Sequence, residues 1–131
     1  MKWKEQGKRL VKKAEQDEFA ADKLLADPSA PGEIIGFHLQ QASEKLLKAA
    51  LSFSKVEFPR THQLVVLMDL LRDHGVKLPE EFEELKMLAP YAVKFRYDFL
   101  DENGKMKNYL DFPAKRGLVA RLKKWVKKLD K

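Results

Sequence analysis

The apolar residues of this chain are of the kind that favours helices, and they recur at helical spacing. The 131 residues include 19 leucines and 12 alanines, against two isoleucines and one threonine. Leucine and alanine cost little in a helix, whereas the β-branched residues typical of strands are scarce. Apolar positions return in steps of three and four along most of the chain. These features predict an all-α fold, an up-and-down bundle of about five helices.

Turn signals separate the first three predicted helices. The first covers residues 2–26 and ends before a segment with two prolines and a glycine in five residues. The second covers residues 33–54. Thr61 is the predicted N-cap of a third helix, which Gly75 ends.

The remaining two helices are predicted from prolines and acidic residues. Pro79 suits the first turn of a fourth helix, which Pro90 kinks and which then continues to about Phe99. Asp111 is predicted to cap the last helix, before Pro113. The predicted buried stripe of that helix is Ala114, Leu118, Leu122, Trp125 and Leu129.

Length and composition limit the class of protein. A chain of 131 residues suits one domain, predicted to cover residues 1–131. The absence of cysteine excludes disulfides and thiolate metal sites and is consistent with a cytoplasmic protein. Nowhere do 18 apolar residues run together, so no membrane association is predicted.

The net charge of +6 favours an anionic partner, and lysine and arginine concentrate near both ends of the chain. If the terminal helices lie side by side, they form a basic face that could attract RNA. The alternative is an ordinary solvated lysine-rich surface, which we favour because no aromatic residues interleave with these charges as in a stacking platform.

The second helix carries a polar stripe beside its apolar one. His38, Gln41, Lys45 and Lys48 lie along it, and Glu44 adjoins it. Such a stripe on an interior helix could line a crevice for a polar ligand. The alternative is that Glu44 and Lys48 are a surface pair four residues apart and that His38 is a hydrogen-bonded boundary residue.

Two further places could bind an anion. Arg60 and His62 flank Thr61 at the predicted start of the third helix, where helix capping is the alternative to anion binding. Arg96, beside Tyr97, lies in an apolar stretch and needs either a structural acceptor or a ligand phosphate. The chain has three histidines and no glycine-rich phosphate loop, so neither a metal nor a cofactor is predicted.

Three segments together resemble the signatures of the HEPN domain family. They are FHLQQASEKLLKA at residues 37–49, PRTHQL at residues 59–64 and YAVKFRY at residues 91–97. The resemblance spans roughly residues 8–127. It implies a bundle of about five helices, usually a homodimer, in prokaryotes often encoded beside a minimal nucleotidyltransferase with which it forms a complex.

The resemblance also bears on activity. Many HEPN proteins are RNA-cleaving toxins, and others are regarded as non-catalytic modules that bind RNA or nucleotides. The cleaving members share an arginine followed four to six residues later by a histidine. Arg96 matches the arginine, but residues 97–103 contain no histidine. Metal-independent RNA cleavage needs both a base and an acid, which arginine does not supply.

Three hypotheses therefore remain. We favour a non-catalytic, dimeric module that binds a nucleotide or RNA segment and acts with a minimal nucleotidyltransferase, in a system of the toxin–antitoxin type. The second is a metal-independent endoribonuclease with a nonstandard acid/base set around Arg96. The third is a pure assembly protein. The candidate ligand-binding residues are Arg96, Lys48, Gln41, His62, His38, Glu44 and Tyr97.

Overall fold

The computed structural model describes residues 2–92 and 110–131. Over these residues the chain forms four α-helices and one 3₁₀ segment and no strand, which confirms the predicted all-α bundle. The elements are α1 (Lys2–Leu25), α2 (Gly32–Phe53), α3 (Leu64–Asp73), the 3₁₀ segment (Glu80–Tyr91) and α4 (Phe112–Lys128). The predicted helix up to Phe99 and the candidate residues Arg96 and Tyr97 lie outside the described residues.

Helix α2 is the central element of the bundle. It contacts α1, α3, the 3₁₀ segment and α4. Its leucines and alanines are therefore buried around most of its circumference, as Leu39, Leu46 and Leu47 show by having no exposed surface. Burial of one such leucine contributes roughly 1.5–3 kcal/mol. Because neighbouring elements surround α2, many of its polar side chains are buried as well, among them Gln40, Ser43 and Glu44.

The predicted N-cap of the third helix is wrong. Helix α3 begins at Leu64 with Gln63 as its N-cap, and Thr61 Oγ1 instead accepts the Gln63 amide at 3.1 Å within the preceding turn. The carbonyl of His62 makes a tertiary contact instead, accepting a hydrogen bond from Gln40 on α2, and the first helical acceptor is the Gln63 carbonyl. The predicted stop at Gly75 is confirmed by its φ of 81°.

The predicted fourth helix is a 3₁₀ segment and not an α-helix. Its buried residues, Phe82, Leu85, Leu88 and Tyr91, are spaced by three. A 3₁₀ helix has three residues per turn, so this spacing places all four side chains in one row against the core. Pro90 lies inside the segment.

Helix α4 begins as predicted, with Asp111 accepting a hydrogen bond from the Ala114 amide at 3.0 Å. Its predicted stripe is only partly correct, because Ala114 is exposed, whereas Leu118 and Leu122 are buried. Ala114 belongs to the first turn, where Phe112 takes the inward position.

The two basic ends of the chain do lie side by side, since α1 contacts α4. Part of their positive charge is compensated. Arg116 pairs with both Glu18 and Asp22, and Lys123 pairs with Glu15 and Glu18. The terminal helices therefore meet at a seam of ion pairs that compensates part of the basic face.

Candidate functional site

A buried carboxylate on α2 organises the most concentrated group of polar side chains. The Glu44 side chain is only 5% exposed, and its two oxygens have different partners. Lys48 Nζ donates to Oε2 at 2.9 Å, and His62 Nδ1 lies 3.0 Å from Oε1. Glu44 and Lys48 are one helical turn apart, whereas His62 comes from the segment before α3. We call Glu44, Lys48 and His62 the Glu44 triad.

A second polar side chain of α2 determines where His62 lies. Gln40 has no exposed surface, and its Nε2 donates to the His62 carbonyl at 3.0 Å and approaches Glu44 Oε1 at 3.4 Å. Gln41 donates to Gln40 Oε1 at 2.8 Å and so joins the same network. The amide of Gln40 thus holds both the backbone and the carboxylate partner of His62.

His62 presents one nitrogen to the carboxylate and most of its ring to solvent. An ionised carboxylate only accepts hydrogen bonds, so Nδ1 carries the hydrogen in this contact. Nε2 is then an acceptor in the neutral ring and a donor in the protonated ring. The side chain is 67% exposed, so a ligand can reach it.

Lys48 is held more tightly than an ordinary surface lysine. Its side chain is 15% exposed, and its Nζ lies 5.7 Å from the centroid of the Phe58 ring. The ammonium thus has a carboxylate and an aromatic face as neighbours. Glu44 and Lys48 do form the predicted pair four residues apart, but both side chains are more buried than a surface pair would be.

A cleft opens next to His62. It measures about 450 Å³, within the range of small-molecule sites. The residues that line it are His62, Gln63, Leu64, Val65, Lys86, Ala89 and Ala92. Most of this lining is apolar, with His62 and Lys86 as its ionisable members.

His38 and Lys45 belong to a separate group. Asp17 of α1 lies 3.0 Å from His38 Nδ1 and accepts a hydrogen bond from Lys45. The Phe37 ring stands edge-on to the His38 imidazole, with the centroids 5.3 Å apart. Of the candidates from the sequence, the structure thus brings Glu44, Lys48, His62 and Gln41 into one network and connects His38 to Asp17 instead.

Asp17 and Gln40 were missed by sequence reasoning. Asp17 had a detectable signal, because it lies three residues after Ala14 and four before Ala21 on the buried face of α1. An acidic residue at such a position needs a buried partner. Gln40 had no comparable signal, since its importance comes from the segment that folds back onto it.

The charges of the two groups are closely balanced. Each has one carboxylate, one lysine and one imidazole, so each is formally neutral when the imidazole is neutral and carries +1 when it is protonated. In each group a buried carboxylate holds the lysine and the imidazole, so these donors are oriented before a ligand binds.

No three histidine, aspartate or glutamate side chains converge as a metal site among the residues that the structure describes. Over the same residues, no helix is long and apolar enough to cross a membrane.

Comparison with known proteins gives one informative result. No curated protein matches the chain, and no solved structure matches it. The family model of the HEPN domain matches residues 7–128, which is nearly the whole sequence and includes the Glu44 triad. The chain therefore belongs to the HEPN domain family.

Proposed function

We propose that this HEPN domain is a non-catalytic module that binds a nucleotide or an RNA segment at the Glu44 triad. The observation that carries the proposal is the exposed His62 ring, held by a buried carboxylate that also holds Lys48. In the proposal Gln41 and Arg96 complete the site. Arg96 follows Ala92, a residue of the His62 cleft, by four positions in the chain.

The triad suits a phosphate better than a neutral ligand. Lys48 uses one of its three ammonium hydrogens on Glu44, and protonated His62 offers Nε2–H. Hydrogen bonds from charged donors to phosphate oxygens are about twice as strong as neutral ones. Because Glu44 fixes both donors, little side-chain entropy is lost on binding.

The arrangement favours binding over cleavage. A metal-independent ribonuclease needs an acid and a base at the same phosphate. His38, the second imidazole near α2, pairs with Asp17, and its position six residues before Glu44 separates them by about 9 Å along the helix axis. The Arg96 motif also lacks its histidine.

A thermal-shift titration tests the binding proposal. Adenosine monophosphate should raise the melting temperature of the parent protein in a concentration-dependent way. The shift should disappear in Arg96→Ala and in His62→Ala. The proposal would be contradicted if the melting temperature of the parent protein shifted neither with the nucleotide nor with a short oligoribonucleotide.

The contact between His62 and Glu44 also favours a second candidate, a metal-independent endoribonuclease. A carboxylate that orients an exposed imidazole is the arrangement of a general base. This candidate predicts RNA cleavage in the presence of a chelator by the parent protein, and none by His62→Ala or Arg96→Ala. Intact RNA after prolonged incubation with the parent would refute it.

We further propose that the protein acts as a homodimer together with a minimal nucleotidyltransferase, in a system of the toxin–antitoxin type. HEPN domains commonly dimerise. Val65 on α3, 41% exposed at the His62 cleft, and Met87 on the 3₁₀ segment, 49% exposed beside Glu83 and Glu84, are large apolar side chains outside the terminal helices. The ion-paired seam of α1 and α4 is less suitable.

Two measurements test the assembly. Light scattering at micromolar concentration should give twice 15.2 kDa, and a value of 15.2 kDa would refute the dimer. Co-purification with an adjacently encoded nucleotidyltransferase should give a stable complex. If that complex forms but no nucleotide or RNA binds, a pure assembly role replaces the binding proposal.

A further inference from the structure

A second cleft lies where the start of α1 meets the segment after α2. It also measures about 450 Å³, and the residues that line it are Lys2, Trp3, Gln6, Glu57 and Phe58. A buried hydroxyl fixes one of its walls: Ser52 Oγ donates to the Trp3 carbonyl at 2.7 Å and lies 3.0 Å from Gln6 Oε1. The first turns of α1 are therefore anchored to the end of α2.

The lining has two kinds of groups. Trp3 and Phe58 are half-buried aromatic rings that border the same space. The other side chains supply both hydrogen-bond donors and acceptors: Gln6 can donate and accept, Lys2 donates and Glu57 accepts. Aromatic faces combined with a few polar groups suit a flat heterocycle with a polar edge, and the volume suits a ligand of nucleotide size.

The cleft is connected to the Glu44 triad through one ring. Phe58 lines the cleft, and its centroid lies 5.7 Å from the Lys48 ammonium. A ring bound against Phe58 would therefore lie close to a positively charged group. A nucleotide has this combination of an aromatic base and an attached phosphate.

We propose that the Trp3–Phe58 cleft is a nucleobase subsite and that the phosphate of the same nucleotide is bound by Lys48 and His62. This inference rests on the proposed function and adds where the base is bound. The subsite should accept more than one base, because every base has a face that stacks on an aromatic ring. The ligand class is accordingly a nucleotide or an unpaired RNA segment, since a base within a duplex has no exposed face.

Trp3 itself reports on the subsite. The chain has two tryptophans, and the other, Trp125, packs beside Phe82 with the ring centroids 6.1 Å apart. Trp125→Phe leaves Trp3 as the sole tryptophan. In this variant adenosine monophosphate and adenosine should change the Trp3 fluorescence in a saturable way, whereas ribose 5-phosphate, which has no base, should not.

Two substitutions of Phe58 test the stacking. Phe58→Leu should weaken adenosine binding by about fivefold or more, the lower end of the loss of one base–aromatic stack. Phe58→Tyr retains a ring and should bind within about twofold of the parent. If Phe58→Leu fails to fold, Phe58→Tyr and the comparison of adenosine with ribose 5-phosphate still decide, because a response to ribose 5-phosphate equal to that to adenosine would overturn the base subsite.

Failure of the subsite and failure of the proposed function give different results. If adenosine monophosphate raises the melting temperature through His62 but leaves Trp3 fluorescence unchanged, the base subsite is refuted and the proposed function stands. If adenosine changes Trp3 fluorescence and His62→Ala does not weaken binding of the monophosphate, the subsite is supported and the phosphate site at the triad is refuted.

Discussion

Replacing Glu44 by glutamine should destabilise the protein far more than an ordinary loss of a surface ion pair. The substitution keeps the shape of the side chain but removes its charge. It leaves the Lys48 ammonium with a neutral amide oxygen in place of a carboxylate. Breaking a buried ion pair costs about 3–5 kcal/mol. Because Lys48 retains some access to solvent, we expect the lower end, about 3 kcal/mol.

Glu83 provides a matched control. It also pairs with two cations, Arg72 and Lys86, but its side chain is 36% exposed. Exposed pairs contribute about 0–1 kcal/mol, so Glu83→Gln should cost less than about 1 kcal/mol. Both substitutions remove one carboxylate with two basic partners, and the two carboxylates differ strongly in burial, at 5% against 36% exposed.

Urea denaturation measures the difference. With a slope of about 2 kcal/mol per molar, the midpoint of Glu44→Gln should fall by about 1.5 M, and that of Glu83→Gln by less than about 0.5 M. Adding Lys48→Met to Glu44→Gln should recover part of the loss, because the buried ammonium is removed as well. Equal midpoints for Glu44→Gln and Glu83→Gln would refute the argument that a buried charge organises the triad.

Two further predictions concern packing and pH. Gly36→Ala should lower the melting temperature, because the added Cβ would lie 2.4 Å from the Tyr91 ring. Gly117→Ala should raise it, because the nearest atom to the added Cβ is 3.7 Å away and alanine favours a helix. A rise for both variants would contradict the close contact at Gly36. Hydrogen bonds from Arg116 hold the pKa of Asp22 below its ordinary 3.8, so this pair stabilises the fold above that pH and the contribution is lost as pH falls through the folded-state pKa. Asp22→Asn should therefore be less stable than the parent at pH 7, with a difference that vanishes on acidification in denaturation curves; a constant difference down to pH 2 would contradict it.

The helices were predictable where local signals and packing agree. The bounds of α1 and α2 differ from the predicted ones by at most one residue at each end, because the proline-rich breaker and the apolar periodicity point to the same boundaries. The 3₁₀ segment was mispredicted even though its apolar residues recur every three positions. The prediction of an α-helix rested on Pro79 and the acidic residues after it, whereas the repeat matches the three residues per turn of a 3₁₀ helix.

The site was predictable only in part. Glu44 and Lys48 lie one turn apart on one helix, so their contact follows from helical spacing. The approach of His62 depends on Gln40, which holds the His62 carbonyl from another element. His38 was placed in the same stripe as Lys48, but the carboxylate that determines its role, Asp17, lies on α1. The burial of Asp17 is visible in the periodicity of α1, but its pairing with His38 and the contact of Gln40 with His62 arise from tertiary packing, which the sequence pattern does not show.

The most direct test of the central claim is equilibrium binding of a labelled single-stranded oligoribonucleotide to the parent, His62→Ala and His74→Ala. Both histidines are exposed, and His74 Nδ1 donates to the Leu70 carbonyl of its own helix at 2.9 Å, away from the Glu44 triad. We predict that His62→Ala weakens binding by about tenfold or more, equivalent to about 1.4 kcal/mol, while His74→Ala binds like the parent. Equal affinity of all three proteins would contradict the claim that the Glu44 triad binds the nucleic acid.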